Sequence, residues 1–170
     1  MLPSATARLT FRDMTRDDVS DIWSVFADPM ARRFYPAMHD MQAARDWVEW
    51  NLGNYAEHGF GLWALTLESG KLIGDCGLTW QHAGEEKVLE IGYHLAAAHR
   101  GRGYAIEAAR AVLDFAFRNT RENLVGSIVA PQNHASVAVA ERLHSRRRNY
   151  SNVRGEPRIL FHTLRDSQPS

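Results

Sequence analysis

The sequence predicts an α+β domain, mixed α/β in composition, built on a central sheet that is mostly antiparallel with one parallel pair. Three observations predict it. Strand-like runs between residues 61 and 96 are joined by the short turns Glu68-Ser69-Gly70 and Ala83-Gly84-Glu85-Glu86, which makes an antiparallel meander. The strand-like run Lys87 to Ala96, a helical run and the strand-like run Leu124 to Ala130 then follow in order, which implies a parallel crossover. Finally, 170 residues of ordinary apolar content suit a single domain, 1–170, with a sizeable core.

Each element has its own signal. Residues 7–13 alternate polar and apolar around Arg8-Leu9-Thr10-Phe11-Arg12, the pattern of a half-buried strand. Thr15 reads as an N-cap, with Asp17 and Asp18 in the first turn that follows. Val19, Ile22, Trp23 and Phe26 then fall on one helical face, and Asp28-Pro29 ends that helix. A second helix runs from Asp40 to about Glu57 with Ala44, Trp47, Val48 and Tyr55 inward, closed by Gly59. The segment Met30 to Pro36 reads as their connection. The helix of the crossover spans Ala105 to Phe117, with apolar residues at 105, 109, 112, 113 and 116. Asn133 opens a last helix reaching about Leu143, Pro157 to Leu164 is the closing strand, and Asp166 to Ser170 reads as a loose tail.

Composition narrows the function classes. No apolar run approaches the roughly 20 residues of a membrane span, and Met1-Leu2-Pro3-Ser4 lacks the pattern of a secretory signal. One cysteine permits no internal disulfide and fits a cytoplasmic protein. The eight histidines show no metal-ligand spacing, so no metal is expected. The net charge is zero, which argues against nucleic acid as a partner. That balance hides an asymmetry. Residues 1–85 carry seven Lys and Arg against twelve Asp and Glu, a net of −5; residues 86–170 carry thirteen against eight, a net of +5.

The basic half holds the stretch around which the rest is organised. His99-Arg100-Gly101-Arg102-Gly103-Tyr104-Ala105 connects a strand to a helix. Two glycines let the backbone turn its N–H groups inward. The helix start adds unpaired donors and the positive end of the macrodipole, and Arg100 and Arg102 add charge. This is an anion cradle, with phosphate the expected anion. No Gly-Lys-Ser/Thr follows, and no third glycine stands in register, so neither a triphosphate P-loop nor a dinucleotide fingerprint fits.

The residues from Arg100 to Ala105 are similar to the Arg/Gln-x-x-Gly-x-Gly/Ala motif of the GNAT acetyltransferase superfamily, which holds the pyrophosphate of acetyl-CoA. Glu90-Ile91-Gly92-Tyr93 and Ala105-Ile106-Glu107-Ala108 resemble the RimJ/RimL-type, ribosomal-protein branch. The resemblance extends over nearly the whole chain. It implies a GNAT fold, with two parallel strands splayed at the cofactor. It places Arg100, Gly101, Arg102, Gly103, Tyr104 and Ala105 on acetyl-CoA, and Asn133 and Ser136 beside the pantetheine arm. It also implies that backbone N–H groups of Tyr93, His94 and Leu95 hold the carbonyl oxygen.

Acetyl transfer from a thioester to an amine needs a neutral amine, a stabilised oxygen and a departing thiolate. A peptide α-amine with a pKa near 7.8 costs about 1 kcal/mol to deprotonate at pH 7, against roughly 4.6 kcal/mol for lysine. Glu90 is the candidate base, on a strand face shared with Val88, Gly92 and His94. A surface or ion-paired glutamate is the competing reading, and a bulge at Gly92 would change the parity. His94 lies about 13 Å along the strand and reads as a pocket or surface residue. Some relatives place a tyrosine acid seven residues after the asparagine; here that position is Ala140. Relatives also leave the last helix through Leu-Gly-Phe or Leu-Gly-Met, whereas this chain has Leu143-His144-Ser145 and then Arg146-Arg147-Arg148. Cys76 reads as a small core residue.

The expected activity is an acetyl-CoA-dependent N-acetyltransferase acting on a protein or peptide N-terminal α-amine. Phe34 and Tyr35 are the expected acceptor-binding aromatics. A small-amine acetyltransferase and a non-catalytic acyl-CoA-binding module remain open alternatives, and a homodimer remains an open assembly state.

Overall fold

The computed structural model describes residues 1–165, so the tail Asp166 to Ser170 lies outside the described residues. The chain runs β1 (Thr10–Arg12), α1 (Val19–Phe26), α2 (Pro29–Phe34), α3 (Met41–His58), β2 (Leu62–Thr66), β3 (Leu72–Ala83), β4 (Glu86–Leu95), α4 (Tyr104–Asn119), β5 (Leu124–Val129), α5 (His134–Leu143), β6 (Arg146–Ser151) and β7 (Pro157–Leu164). The seven strands form one sheet in the order β1-β2-β3-β4-β5-β7-β6. Every pairing is antiparallel except β4 with β5, which is the expected crossover pair.

Helices cover both faces. Ile22, Val25 and Phe26 of α1, Ala31 of α2 and Ala44 and Val48 of α3 pack on Leu62, Ala64 and Leu72. On the other face Ala108, Ala109, Val112, Leu113, Phe115 and Ala116 of α4 pack on Trp63, Leu65, Ile73, Leu78, Leu89, Ile91 and Val125. Ala140 of α5 adds Val129, Ile159 and Phe161 on that side. Cys76 is fully buried in this core, and burial raises its thiol pKa well above the usual value. Asn51 ties α3 to the sheet: its Oδ1 accepts from Leu62 N–H at 2.8 Å and its Nδ2 donates to the Trp47 carbonyl at 3.0 Å.

One segment differs from the sequence reading. The connection from Met30 to Pro36 contains a short helix. Asp28 N-caps it, accepting from Met30 N–H and Ala31 N–H, and Pro29 occupies the first turn, where its missing donor costs nothing. The Asp-Pro pair ends α1 and also starts α2. The arginine run Arg146 to Arg148 is an edge strand, with Arg147 beside Glu141 at 3.5 Å and Arg148 paired with Glu86. Charge along an edge strand discourages pairing with another chain.

The feature that positions the site is the splay between β4 and β5. Their ladder consists of Leu89 with Val125 and Glu90 with Gly126, and then the strands part. Side chains bridge the gap at its apex. Ser127 Oγ donates to the Ile91 carbonyl at 2.9 Å, and Ile128 N–H donates to Glu90 Oε1 at 3.1 Å. The pairing of β4 with β3 continues residue by residue from 86 to 95, so Gly92 marks no bulge.

Candidate active site

The cradle is built by backbone conformation. Gly101 and Gly103 have φ of +73° and +80°, a region that side-chain-bearing residues avoid. Gly103 caps α4 without a side-chain hydrogen bond, so the first-turn N–H groups have no cap to occupy them. Arg8 holds the loop from outside: its guanidinium lies 4.3 Å over the Tyr104 ring, donates to the Arg102 carbonyl at 3.0 Å and pairs with Glu107 at 2.6 Å. The Thr6 hydroxyl also donates to Glu107. Burial alone would raise the Glu107 carboxyl; the Thr6 and Arg8 hydrogen bonds outweigh it and hold the group below its ordinary value.

Arg100 faces inward. Its guanidinium makes a two-pronged bond to Asp28 at 2.9 and 2.7 Å, and its Nε donates to the Leu95 carbonyl at 2.9 Å. That bond is the main reason the Asp28 carboxyl falls to about 2. Arg100 thus ties the loop to the start of α2. Arg102 is exposed and lies outside the cavity lining.

A cavity of about 340 Å³ opens above the cradle. Its lining includes Phe34, Tyr35, Tyr93, His94, Leu95, Arg100, Gly101, Gly103, Tyr104, Ala105, Asn133 and Ser136. Asn133 N-caps α5 by accepting from Ser136 N–H at 3.2 Å. A second cavity, of about 260 Å³, continues on the α3 side and is lined by Trp47, Trp50, Thr79, Gln81, Glu90, Ser127 and Ile128. Tyr35, Tyr93, His94 and Ser136 border both. Phe34 borders only the first, so of the two expected acceptor aromatics only Tyr35 reaches the second cavity.

Glu90 is half-buried in that second cavity, with Oε1 on Ile128 N–H at 3.1 Å and the Thr79 hydroxyl 3.5 Å from Oε2. Burial raises its pKa; the Ile128 hydrogen bond opposes this and falls short. The backbone around it has a definite parity. The Ile91 carbonyl points to β5, so the amides of Tyr93 and Leu95 do too, while the His94 carbonyl lies against Gly74 of β3. The amide of His94 is therefore turned to β3. Its ring, instead, enters the site.

Asp75 holds that ring. The Asp75 side chain is fully buried; Oδ1 accepts from His94 Nδ1 at 2.6 Å and Oδ2 from Trp47 Nε1 at 3.0 Å. Sequence reasoning missed Asp75, Trp47 and Trp50 as site residues. The signal available was an acid in the middle of the otherwise apolar run Leu72 to Leu78.

His144 resolves the unusual helix exit. It caps α5 with φ −109° and ψ 151°, an extended geometry that needs no glycine. Its buried ring is fully engaged. Ser127 spends its proton on the Ile91 carbonyl, so His144 Nε2–H donates to Ser127 Oγ at 3.1 Å and Nδ1 accepts from Thr163 Oγ1 at 3.0 Å. Burial, with His162 nearby, depresses its pKa to about 3.

The splay and the uncapped turn at Gly101 and Gly103 fit a pantetheine arm and its pyrophosphate. Comparison with known proteins agrees. Residues 8–146 match the family described as acetyltransferase (GNAT) domain. The uncharacterized protein YkkB of Bacillus subtilis (strain 168) is 37% identical over 140 residues, 81% of each chain. The crystal structure of an acetyltransferase from Agrobacterium tumefaciens str. C58 superposes with a TM-score of 0.81 at 30% identity, covering 95% of this chain and 94% of that one. RimL, a ribosomal L7/L12 α-N-protein acetyltransferase solved with coenzyme A, gives a TM-score of 0.77 at 16% identity, covering 99% of this chain and 100% of that one. That likeness speaks for the fold alone.

Proposed function

The chain belongs to the GNAT acetyltransferase family and is an N-acetyltransferase that uses acetyl-CoA, and on that premise we propose that its acceptor is the α-amine of a protein or peptide N-terminus. A RimJ/RimL-type role, in one domain spanning 1–170 and acting in the cytoplasm, belongs to the same proposal. The observation that carries it is the pair of cavities meeting at Tyr35, Tyr93, His94 and Ser136, with Glu90 on the acceptor side. Within the residues described, Glu90 is the carboxylate that borders this acceptor cavity, and a single carboxylate acting through water suffices for an amine of pKa near 7.8.

We assign the roles as follows. Gly101, Gly103, Tyr104 and Ala105 receive the pyrophosphate, with Asn133 and Ser136 beside the arm. The amides of Tyr93 and Leu95 face the splay and receive the carbonyl oxygen. Tyr35, Trp47 and Trp50 form an aromatic wall that takes an extended chain end.

A second reading has its own support. The region around Trp47 and Trp50 continues into a surface hollow that also carries Asp40 and Asp46, a setting that suits a small polycationic amine. A panel of acceptors separates the two. Short peptides with free N-termini should turn over faster than N-blocked lysine peptides, polyamines or aminoglycosides. If polyamines or aminoglycosides turn over best, the α-amine reading fails.

A further inference from the structure

We infer that His94, oriented by Asp75, is the proton shuttle of the reaction, taking a proton from the amine nitrogen and giving it to the departing sulfur. The inference rests on the acetyl-transfer reading above, and not on which amine is the acceptor.

Asp75 fixes the chemistry of the ring. A carboxylate oxygen accepts the bond, so His94 Nδ1 carries the hydrogen between the two groups and Nε2 is the ring nitrogen left to take up and return a proton. The second Asp75 oxygen is committed to Trp47 Nε1–H, which prevents the carboxylate from turning away. Three rings fix the orientation, with centroids 5.1 Å (Phe26), 4.7 Å (Tyr35) and 5.6 Å (Trp47) from the imidazole. The His94 side chain keeps 11% exposure, and its Nε2 makes no hydrogen bond within the described residues. This is a held ring with one free nitrogen.

Position then assigns the role. Glu90 borders the acceptor cavity alone, whereas His94 borders both cavities, so it stands between amine and thioester. Three other side chains share that border. The Tyr93 hydroxyl is spent on the Ser136 carbonyl at 2.9 Å. Burial raises both tyrosines, Tyr35 to about 12, so each holds its proton more firmly than a thiol does. A serine hydroxyl is weaker still as an acid. Ala140 of α5 has no proton to give. The titratable groups around the ring are Asp75 on β3, Glu90 and Tyr93 on β4 and Tyr35 after α2; α1 and α3 present Phe26 and Trp47, which do not titrate.

The step balances. The ammonium first loses one proton through Glu90 and water. The nitrogen lone pair forms the N–C bond, and the nitrogen's surplus proton passes to His94 Nε2. The C–S bond breaks with its electron pair on sulfur. Nε2–H returns its proton to that sulfur, leaving amide, thiol and a neutral ring.

The test reads bound CoA first. The thiol of CoA on the enzyme is titrated by thiolate ultraviolet absorbance in wild type, His94→Gln and Asp75→Asn, with CoA affinity measured by calorimetry. If His94 Nε2 takes up the thiol proton, the resulting imidazolium facing sulfur favours the thiolate, so the ionisation constant of the bound thiol should be about tenfold larger in wild type than in His94→Gln, with CoA affinity within about threefold. Turnover gives the second readout. His94→Gln should lower kcat by about 10²-fold with acetyl-CoA and by a clearly smaller factor with the acetyl thioester of a more acidic aryl thiol, which leaves unaided and so needs only the nitrogen half of the shuttle. Asp75→Asn should move the same way to a smaller extent. An unchanged thiol titration, or an equal kcat deficit with both donors, overturns the shuttle. Peptides failing as acceptors while another amine succeeds would instead remove the α-amine reading and leave the titration result standing.

Discussion

At the scale of single residues, two buried titratable groups give opposite kinds of test. Glu90 is raised by burial and faces the second cavity, the proposed acceptor side, so its proton-accepting form appears only above an elevated pKa. Glu90→Gln should lower kcat by about 10²–10⁴ with CoA binding intact. It should also remove a rise of activity with pH that begins above the ordinary glutamate range, read as a pH–rate profile. His144 acts on stability. Its folded pKa of about 3 lies below the ordinary value of 6.5, so the unfolded chain binds a proton that the folded chain refuses. The stability contributed by this group is present above 6.5 and is lost as pH falls towards 3. Urea unfolding of wild type and His144→Gln between pH 7 and 4 should show about one proton fewer taken up on unfolding in the variant. Equal slopes would contradict the buried, neutral ring.

At the scale of elements, the turn into α4 is the sensitive point. Gly103 sits at φ +80°, and a Cβ there would lie 3.4 Å from Arg8 Nη2, in the group that braces the loop. Gly103→Val meets a conformational cost of roughly 1–2 kcal/mol and puts a branched side chain where phosphate oxygens must approach backbone N–H groups. The variant should fold with a lower melting temperature and should show no upward shift when CoA is added, whereas wild type should rise. A full CoA-dependent shift in the variant would place the phosphate site elsewhere. The same loop is anchored to α2 through Arg100 and Asp28, which links the cradle to the short helix that delivers Tyr35.

At the scale of the whole molecule, the two parts of the sheet meet through the two-residue parallel ladder and the Ser127 and Glu90 bridges. A ligand entering the splay completes backbone hydrogen bonding that the strands leave open, in the manner of an added strand. Hydrogen exchange should report this by parity. On CoA binding the amides of Tyr93 and Leu95 should slow by at least about tenfold, while that of His94, already directed at β3, should change much less. Uniform slowing of all three would mean that CoA stabilises β4 as a whole without seating in the splay.

Much of this architecture is local and therefore legible in sequence. The meander, the crossover, the caps at Asn133 and Gly59 and the two-glycine cradle each depend on residues close together in the chain. Backbone chemistry and periodicity act at that range, which is why the turn from Arg100 to Ala105 into a helix can be read from the residues alone. Asp-Pro at 28–29 reads as a stop as easily as a start, because the same residues end one helix and cap the next. What tertiary structure alone decided was the partner of each side chain. Arg100 has a motif arginine's position, but Asp28, 72 residues away, claims its charge. His144 stands where relatives use glycine, and its acceptability depends on Ser127 and Thr163 meeting it from two other strands. His94 and Asp75 become a pair only because β3 and β4 align them in register, and Trp47 completes it from α3. Charge and hydrogen bonding in a buried site depend on groups distant in sequence, and folding sets those distances.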